Sequence, residues 1–136
     1  MGLCGEGRRA LSRLKVFFDG GCRPNPGPIE VAAVVRGVAH VRDDLGHGTN
    51  GDAEWLALIH ALEVAQACGE AEFDLVGDSR NVIAQATGAA RSRSAGDRAH
   101  FERFVALAAG HPPVRVRWVK RAQNLAGIAL AARHGR

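Results

Sequence analysis

The sequence predicts an α/β domain, a mixed sheet with helices packed against it. The order of its apolar patterns, β-β-β-α-β-α-α-β-α, gives three strands joined by hairpins and then strands separated by helices, the arrangement of a mixed sheet. There is no internal repeat. At 136 residues, 46% hydrophobic and 24% charged, the chain has the length and composition of one globular domain. It can bury a sufficient core without disulfides or a structural metal.

Residues 1–13 are Gly/Arg-rich without periodicity, which predicts a flexible tail ahead of a domain over 14–136. Leu14 to Phe18 is a short β-rich run, expected to end in a turn at Asp19-Gly20-Gly21. Pro24, Pro26 and Pro28 exclude helix from the loop that follows. Ile29 to Val35 is β-branched and apolar, a buried strand, and Gly37 separates it from a hairpin partner at Val38 to Val41. From Asp52 to Ala67 the pattern is helical, with Thr49-x-x-Asp52 as its N-terminal capping signal. Phe73 to Gly77 is a strand, and Asp78-Ser79 opens a short helix through Gln85. Phe101, Phe104, Val105 and Ala108 are spaced as one buried helical stripe that Pro112-Pro113 stops. Val114, Val116 and Trp118 alternate with Arg115 and Arg117, a half-buried strand. A last helix presents Leu125, Ile128, Ala129 and Ala132 as its expected core face.

Charge and composition narrow the function classes. All 14 acids lie at or before Glu102, and seven Lys/Arg with no acid follow it. That asymmetry suits a polyanion partner beside a carboxylate cluster, and equally a solvated arginine-rich face. Five Phe, two Trp and no Tyr are too few rings for a single-strand stacking platform. No apolar run approaches the ~20 residues of a membrane span, and the N-terminal residues lack a secretory pattern. Three widely spaced cysteines without Cys-x-x-Cys argue against disulfides and zinc, and for a reducing cytoplasm. There is no P-loop and no Gly-x-Ser-x-Gly elbow.

Three acids sit at comparable joints. Asp19 ends the first strand, Glu54 opens the first long helix, and Asp78 follows the fourth strand. Each has a local explanation: a turn, a helix dipole, an N-cap. In an open α/β sheet, however, strand C-termini and helix N-termini converge on one edge. Carboxylates at ~4 Å repel by about 4 kcal/mol per pair at an effective dielectric near 20. A cluster of them calls for cations, and all-oxygen ligands favour Mg²⁺ or Mn²⁺. Paired ions of that kind activate water against a phosphodiester.

The residues also resemble a family. Phe18-Asp19-Gly20-Gly21-Cys22-Arg23-Pro24-Asn25-Pro26-Gly27-Pro28 is similar to the first motif of type 1 ribonuclease H domains. Thr49-Asn50-Gly51-Asp52-Ala53-Glu54-Trp55 resembles the second, Gly77-Asp78-Ser79-Arg80-Asn81-Val82-Ile83 the third, and Arg121-x-x-Asn124 with Leu130-Ala131 the fourth. The resemblance implies the ribonuclease H-like fold, a five-stranded mixed sheet whose first three strands are antiparallel. It implies endonucleolytic hydrolysis of the RNA strand of RNA–DNA hybrids, largely sequence-independent, with two Mg²⁺ or Mn²⁺ ions. Asp19, Glu54 and Asp78 would be the catalytic metal ligands. Gly20, Cys22, Asn25, Thr49, Asn50, Ser79 and Arg80 fall on substrate-binding positions of the motifs. The hybrid would be the partner, with no membrane and no obligate protein partner.

Three departures from the family pattern stand out. Gly51 replaces an Asn. The loop carrying Arg91, Arg93 and Arg98 is too short for a long basic protrusion. Ile128 stands where a fourth carboxylate belongs, and its place on the apolar stripe predicts that it packs inward. His134 is a poor substitute ligand, and it and His111 are expected at the surface. The alternative to an active nuclease is therefore a weakened or inactive nucleic-acid-binding module. A third possibility is another nuclease or strand-transfer enzyme on this fold.

Overall fold

Backbone pairing carries the first strand further than its residue types suggest. In the computed structural model, which describes residues 13–110 and 114–134, β1 (Leu14–Cys22) runs straight through Asp19-Gly20-Gly21. It does so because Asp19 to Cys22 pair residue by residue with Ala32 to Ile29 of β2 (Gly27–Val35). The expected turn at Asp19 is thus a ladder position, and the reversal falls in the proline-rich residues beyond. β3 (Val38–Arg42) completes the antiparallel part against β2.

The remaining elements are β4 (His47–Gly48), α1 (Asn50–Ala67), β5 (Phe73–Gly77), α2 (Arg80–Ala86), α3 (Ala95–Ala108), β6 (Val114–Trp118), a 3-10 turn at Arg121–Gln123 and α4 (Leu125–Arg133). β5 pairs in parallel with β1, and β6 with β5, giving the order β3-β2-β1-β5-β6. The five-stranded mixed sheet is as predicted, with the two-residue β4 added against the start of β2. No helix among the described residues is long and apolar enough to cross a membrane.

Thr49 caps α1 in a capping box with Asp52, as the spacing predicts. The helix packs on β1 and β2, burying Trp55, Leu58, Ile59 and Leu62 against Val16, Phe18 and Val31. Its alanines bring it close: a Cβ at Gly20 would lie 2.2 Å from the Ala53 carbonyl oxygen. Only glycine fits that crossing, and Glu54 follows immediately. On the far side of α1, α3 contributes Phe104 to the core, but Val105 is exposed.

The other sheet face is covered by α4, and here the sequence expectation fails. Leu125 and Ile128 are 43% and 53% exposed, while Ala126, Gly127 and Leu130 are buried over Ala32 and Val34. Asn124 sets this rotation. Fully buried, it caps α4 by accepting the Ala126 N–H and donates to the Phe18 carbonyl (2.9 Å). With the helix start fixed to β1, Ala126, Gly127 and Leu130 face the strands, and of the expected stripe Ala129 packs beside them. Hydrophobicity alone selects the wrong stripe.

The edge is tied by buried Asp74, which receives Arg13 (2.6 Å), Arg115 (2.9 Å) and Arg117 (3.2 Å). Burial raises its carboxyl, but these three partners hold it below the usual range. Arg13, placed by its sequence in the flexible tail, is therefore anchored. Residues 1–12, and His111 with its expected surface position, lie outside the described residues.

The rotation of α4 has a direct test in chemical denaturation. Leu130→Ala should cost about 2–4 kcal/mol, and Ile128→Ala less than about 0.5 kcal/mol. The reverse order would mean that the helix packs on the stripe its hydrophobicity suggests.

Candidate active site

The three acids meet. Asp19 comes from β1, Glu54 from the first turns of α1 and Asp78 from the end of β5, and one carboxylate oxygen of each lies within 4.8 Å of the others. At that separation each ionised pair repels by about 3–4 kcal/mol at an effective dielectric of 20. Asp19 is 4% exposed. Burial, and then the charge of Asp78, raises its carboxyl from 3.8 to about 6. Burial, then Asp19 and Asp78, raises Glu54 from 4.5 to about 8.

Two oxygens of the cluster, Asp19 Oδ1 and Glu54 Oε1, are buried without a hydrogen-bond donor. Such atoms are costly unless something electropositive is supplied. Arg121 supplies part of it, with Nη1 at 3.1 Å from Asp78 Oδ2 and 3.6 Å from Asp19 Oδ1. One largely exposed guanidinium serves three carboxylates. The donorless hard oxygens therefore fit a divalent cation held by Asp19, Glu54 and Asp78.

Asp78 is fixed from three sides. Asn124 Nδ2 donates to its Oδ2 (3.2 Å), Arg121 grips its carboxylate, and the Trp118 indole N–H donates to its carbonyl (3.2 Å). Arg80 stacks its guanidinium 3.8 Å above the Trp118 ring. Ser79 is occupied locally, its Oγ accepting the Val82 N–H as the cap of α2.

The other predicted contact residues form a connected rim. Asn25 Oδ1 accepts the Asn50 N–H (3.0 Å), Asn50 Oδ1 accepts the Cys22 N–H (2.9 Å), and the Cys22 thiol donates to the Gly48 carbonyl (3.2 Å). Burial raises that thiol, making it a packing group rather than a nucleophile. Thr49 is the capping residue of α1, one position before Asn50. Gly20, Cys22, Asn50, Asp19 and Glu54 line a common cleft of about 490 Å³, whereas Asn25, Thr49, Ser79 and Arg80 stand outside it. Arg91, Arg93 and Arg98 are exposed, clear of the cluster.

Ile128 points to solvent, and α4 brings Gly127 to Asp19 instead; a Cβ there would lie 3.5 Å from Asp19 Oδ2. His134 is at the surface as expected, paired with Glu30. The sequence places Arg121 and Asn124 in the fourth motif without giving either a role at the site. Their signal was the Arg-x-x-Asn spacing, legible only once Asn124 is seen to bridge Phe18 and Asp78.

Comparison with known proteins agrees with this geometry. A family model described as Reverse transcriptase-like matches residues 17–134. The chain is 40% identical over 124 residues to Ribonuclease HI of Halobacterium salinarum, covering 88% of this chain and 62% of that one. It thus spans less than two-thirds of that relative. The crystal structure of RNase H1 from Halobacterium salinarum superposes with a TM-score of 0.79 at 35% identity, over 88% of this chain and 94% of that one. LC11-RNase H1, solved in complex with an RNA/DNA hybrid, gives 0.73 at 26% identity, over 82% and 88% of the two chains. Motif, topology and these similarities coincide, and the chain belongs to the type 1 ribonuclease H family.

Proposed function

We propose that this chain hydrolyses the RNA strand of RNA–DNA hybrids, with little dependence on sequence, using Mg²⁺ or Mn²⁺ held by Asp19, Glu54 and Asp78. The observation that carries this reading is the convergence of three carboxylates, two of which, Asp19 and Glu54, line an open cleft and each bury an oxygen that accepts no hydrogen bond. A divalent cation bound there would polarise the scissile phosphodiester and lower the pKa of an attacking water. The hybrid as substrate rests on family membership and on the solved hybrid complex of LC11-RNase H1.

The chain's own residues contribute recognition. Asn25 and Asn50 spend their Oδ1 atoms on backbone N–H groups. Their amide nitrogens remain as donors for base edges and ribose oxygens in a shallow groove. Hybrids are read there by shape and 2′-hydroxyl rather than by sequence. Arg121, 71% exposed, is placed to exchange Asp78 for a substrate phosphate as cations take over the carboxylates. Asn124 and Trp118 keep Asp78 in place during that exchange. Both cysteines among the described residues, Cys22 and Cys68, are free, in keeping with a cytoplasmic setting.

Incubation of an end-labelled hybrid with Mg²⁺ or Mn²⁺ should give cleavage of the RNA strand, abolished by Asp19→Asn. Equal cutting by both proteins would end the proposal. Salt-sensitive binding without turnover would instead favour the inactive-module reading that Ile128 suggests.

Stability should follow the same carboxylates. In the metal-free chain the raised values of Asp19 and Glu54 mean that the folded state holds protons the unfolded state has released. Their contribution is complete below pH ~4 and is lost as pH rises through about 6 and then about 8. Melting temperature without metal should therefore fall across pH 5–8, and less steeply in Glu54→Gln. Added Mn²⁺ should restore the wild type at pH 8 but restore Asp19→Asn little. Parallel pH profiles for wild type and Glu54→Gln would contradict this.

A further inference from the structure

A fourth carboxylate borders the cleft, on a strand where no motif places one. Glu30 of β2 lines the same cavity as Asp19 and Glu54. In the ladder Asp19 faces Ala32 and Gly21 faces Glu30. Glu30 and Ala32 share one side of β2, so Glu30 projects from the same sheet face as Asp19. Diagonal neighbours of this kind lie ~7–8 Å apart, within reach of a long side chain. Opposite Glu30 stands a glycine, so β1 puts no side chain between the two acids. In the strand order β2-β1-β5, Glu30 and Asp78 therefore flank Asp19 on opposite sides.

Glu30 is held in reserve by surface groups. Its side chain is 13% exposed, and it pairs with Arg133 Nε (3.1 Å) and with His134 from the end of α4. Arg133 is 40% exposed and also reaches Asp43 (3.4 Å), so it has another anion to turn to. The arrangement matches Arg121 on the opposite flank, an exposed guanidinium engaging a carboxylate of the cleft. Between the flanks lie Asp19 Oδ1, whose side chain is 5% exposed and which has Arg121 at 3.6 Å but accepts no hydrogen bond, and Glu54 Oε1, which accepts none either.

We infer that Glu30 is the fourth carboxylate of the cation site, filling from β2 the place that α4 leaves to Ile128. On cation binding it exchanges Arg133 and His134 for an ion shared with Asp19, directly or through one water. This rests on the trio being a cation site, and the test separates the two claims.

Calorimetric titration of the full chain with MnCl₂, without nucleic acid, should show Glu30→Gln binding ~10-fold more weakly than wild type. Glu63→Gln, an exposed acid elsewhere on α1, should bind as wild type, and Asp19→Asn should lose binding. In the unmutated chain, substoichiometric Mn²⁺ should broaden the carboxyl ¹³C signal of Glu30 along with that of Glu54, and spare Glu63. An unbroadened Glu30 signal overturns the inference whatever the variants do. Wild-type affinity in Glu30→Gln with loss in Asp19→Asn overturns Glu30 alone. Wild-type affinity in both removes the cation site as well.

Discussion

The fold holds together, at one edge of its sheet, three carboxyl groups that repel one another when ionised. Every nearby element contributes to keeping them there. The crossing of α1 over β1 at Gly20 and Ala53 is too close for any side chain at Gly20, and it sets Glu54 beside Asp19. Asp78 is anchored through its carbonyl by Trp118 and through its carboxylate by Arg121 and Asn124. The remaining core of α1 against β1 and β2 has to offset what the cluster costs. Stability is spent at this edge in exchange for an appetite for positive charge.

Asn124 links the two sides of the molecule. It caps α4, binds the Phe18 carbonyl one residue before Asp19, and binds Asp78. Because it decides how α4 rotates, it also decides that Gly127 rather than a larger residue meets Asp19. The character of the cleft wall is thus fixed by a buried amide, not by the apolar residues of the helix it begins.

Much of this was legible in the sequence because it rests on local chemistry. The Thr49-x-x-Asp52 box, the Ser79 cap and the alternation of Val114 and Val116 with arginines in β6 are patterns read within a few residues, although Trp118, expected to continue the inward side, is exposed. The three acids were legible through motif spacing and the tendency of strand ends to converge. The misreadings share a cause in contacts distant along the chain. Asp19-Gly20-Gly21 has the composition of a turn but lies in a ladder with β2. Leu125 and Ile128 outrank Ala126 and Gly127 in hydrophobicity, yet close approach to β1 rewards the small residues. Glu30 belongs to no motif, and its closeness to Asp19 exists only once β1 and β2 are in register.

The chain has two tryptophans, and their surroundings differ sharply. Trp55 is sealed in the core at 0% exposure, beside Phe101 and Phe104. Trp118 is 37% exposed, hydrogen-bonded to the backbone of Asp78 and stacked under Arg80. The molecule therefore carries two native fluorophores with separable emission. One registers the integrity of the interior, and the other is accessible to quenchers and sensitive to whatever engages Arg80 or shifts Asp78, with no dye attached.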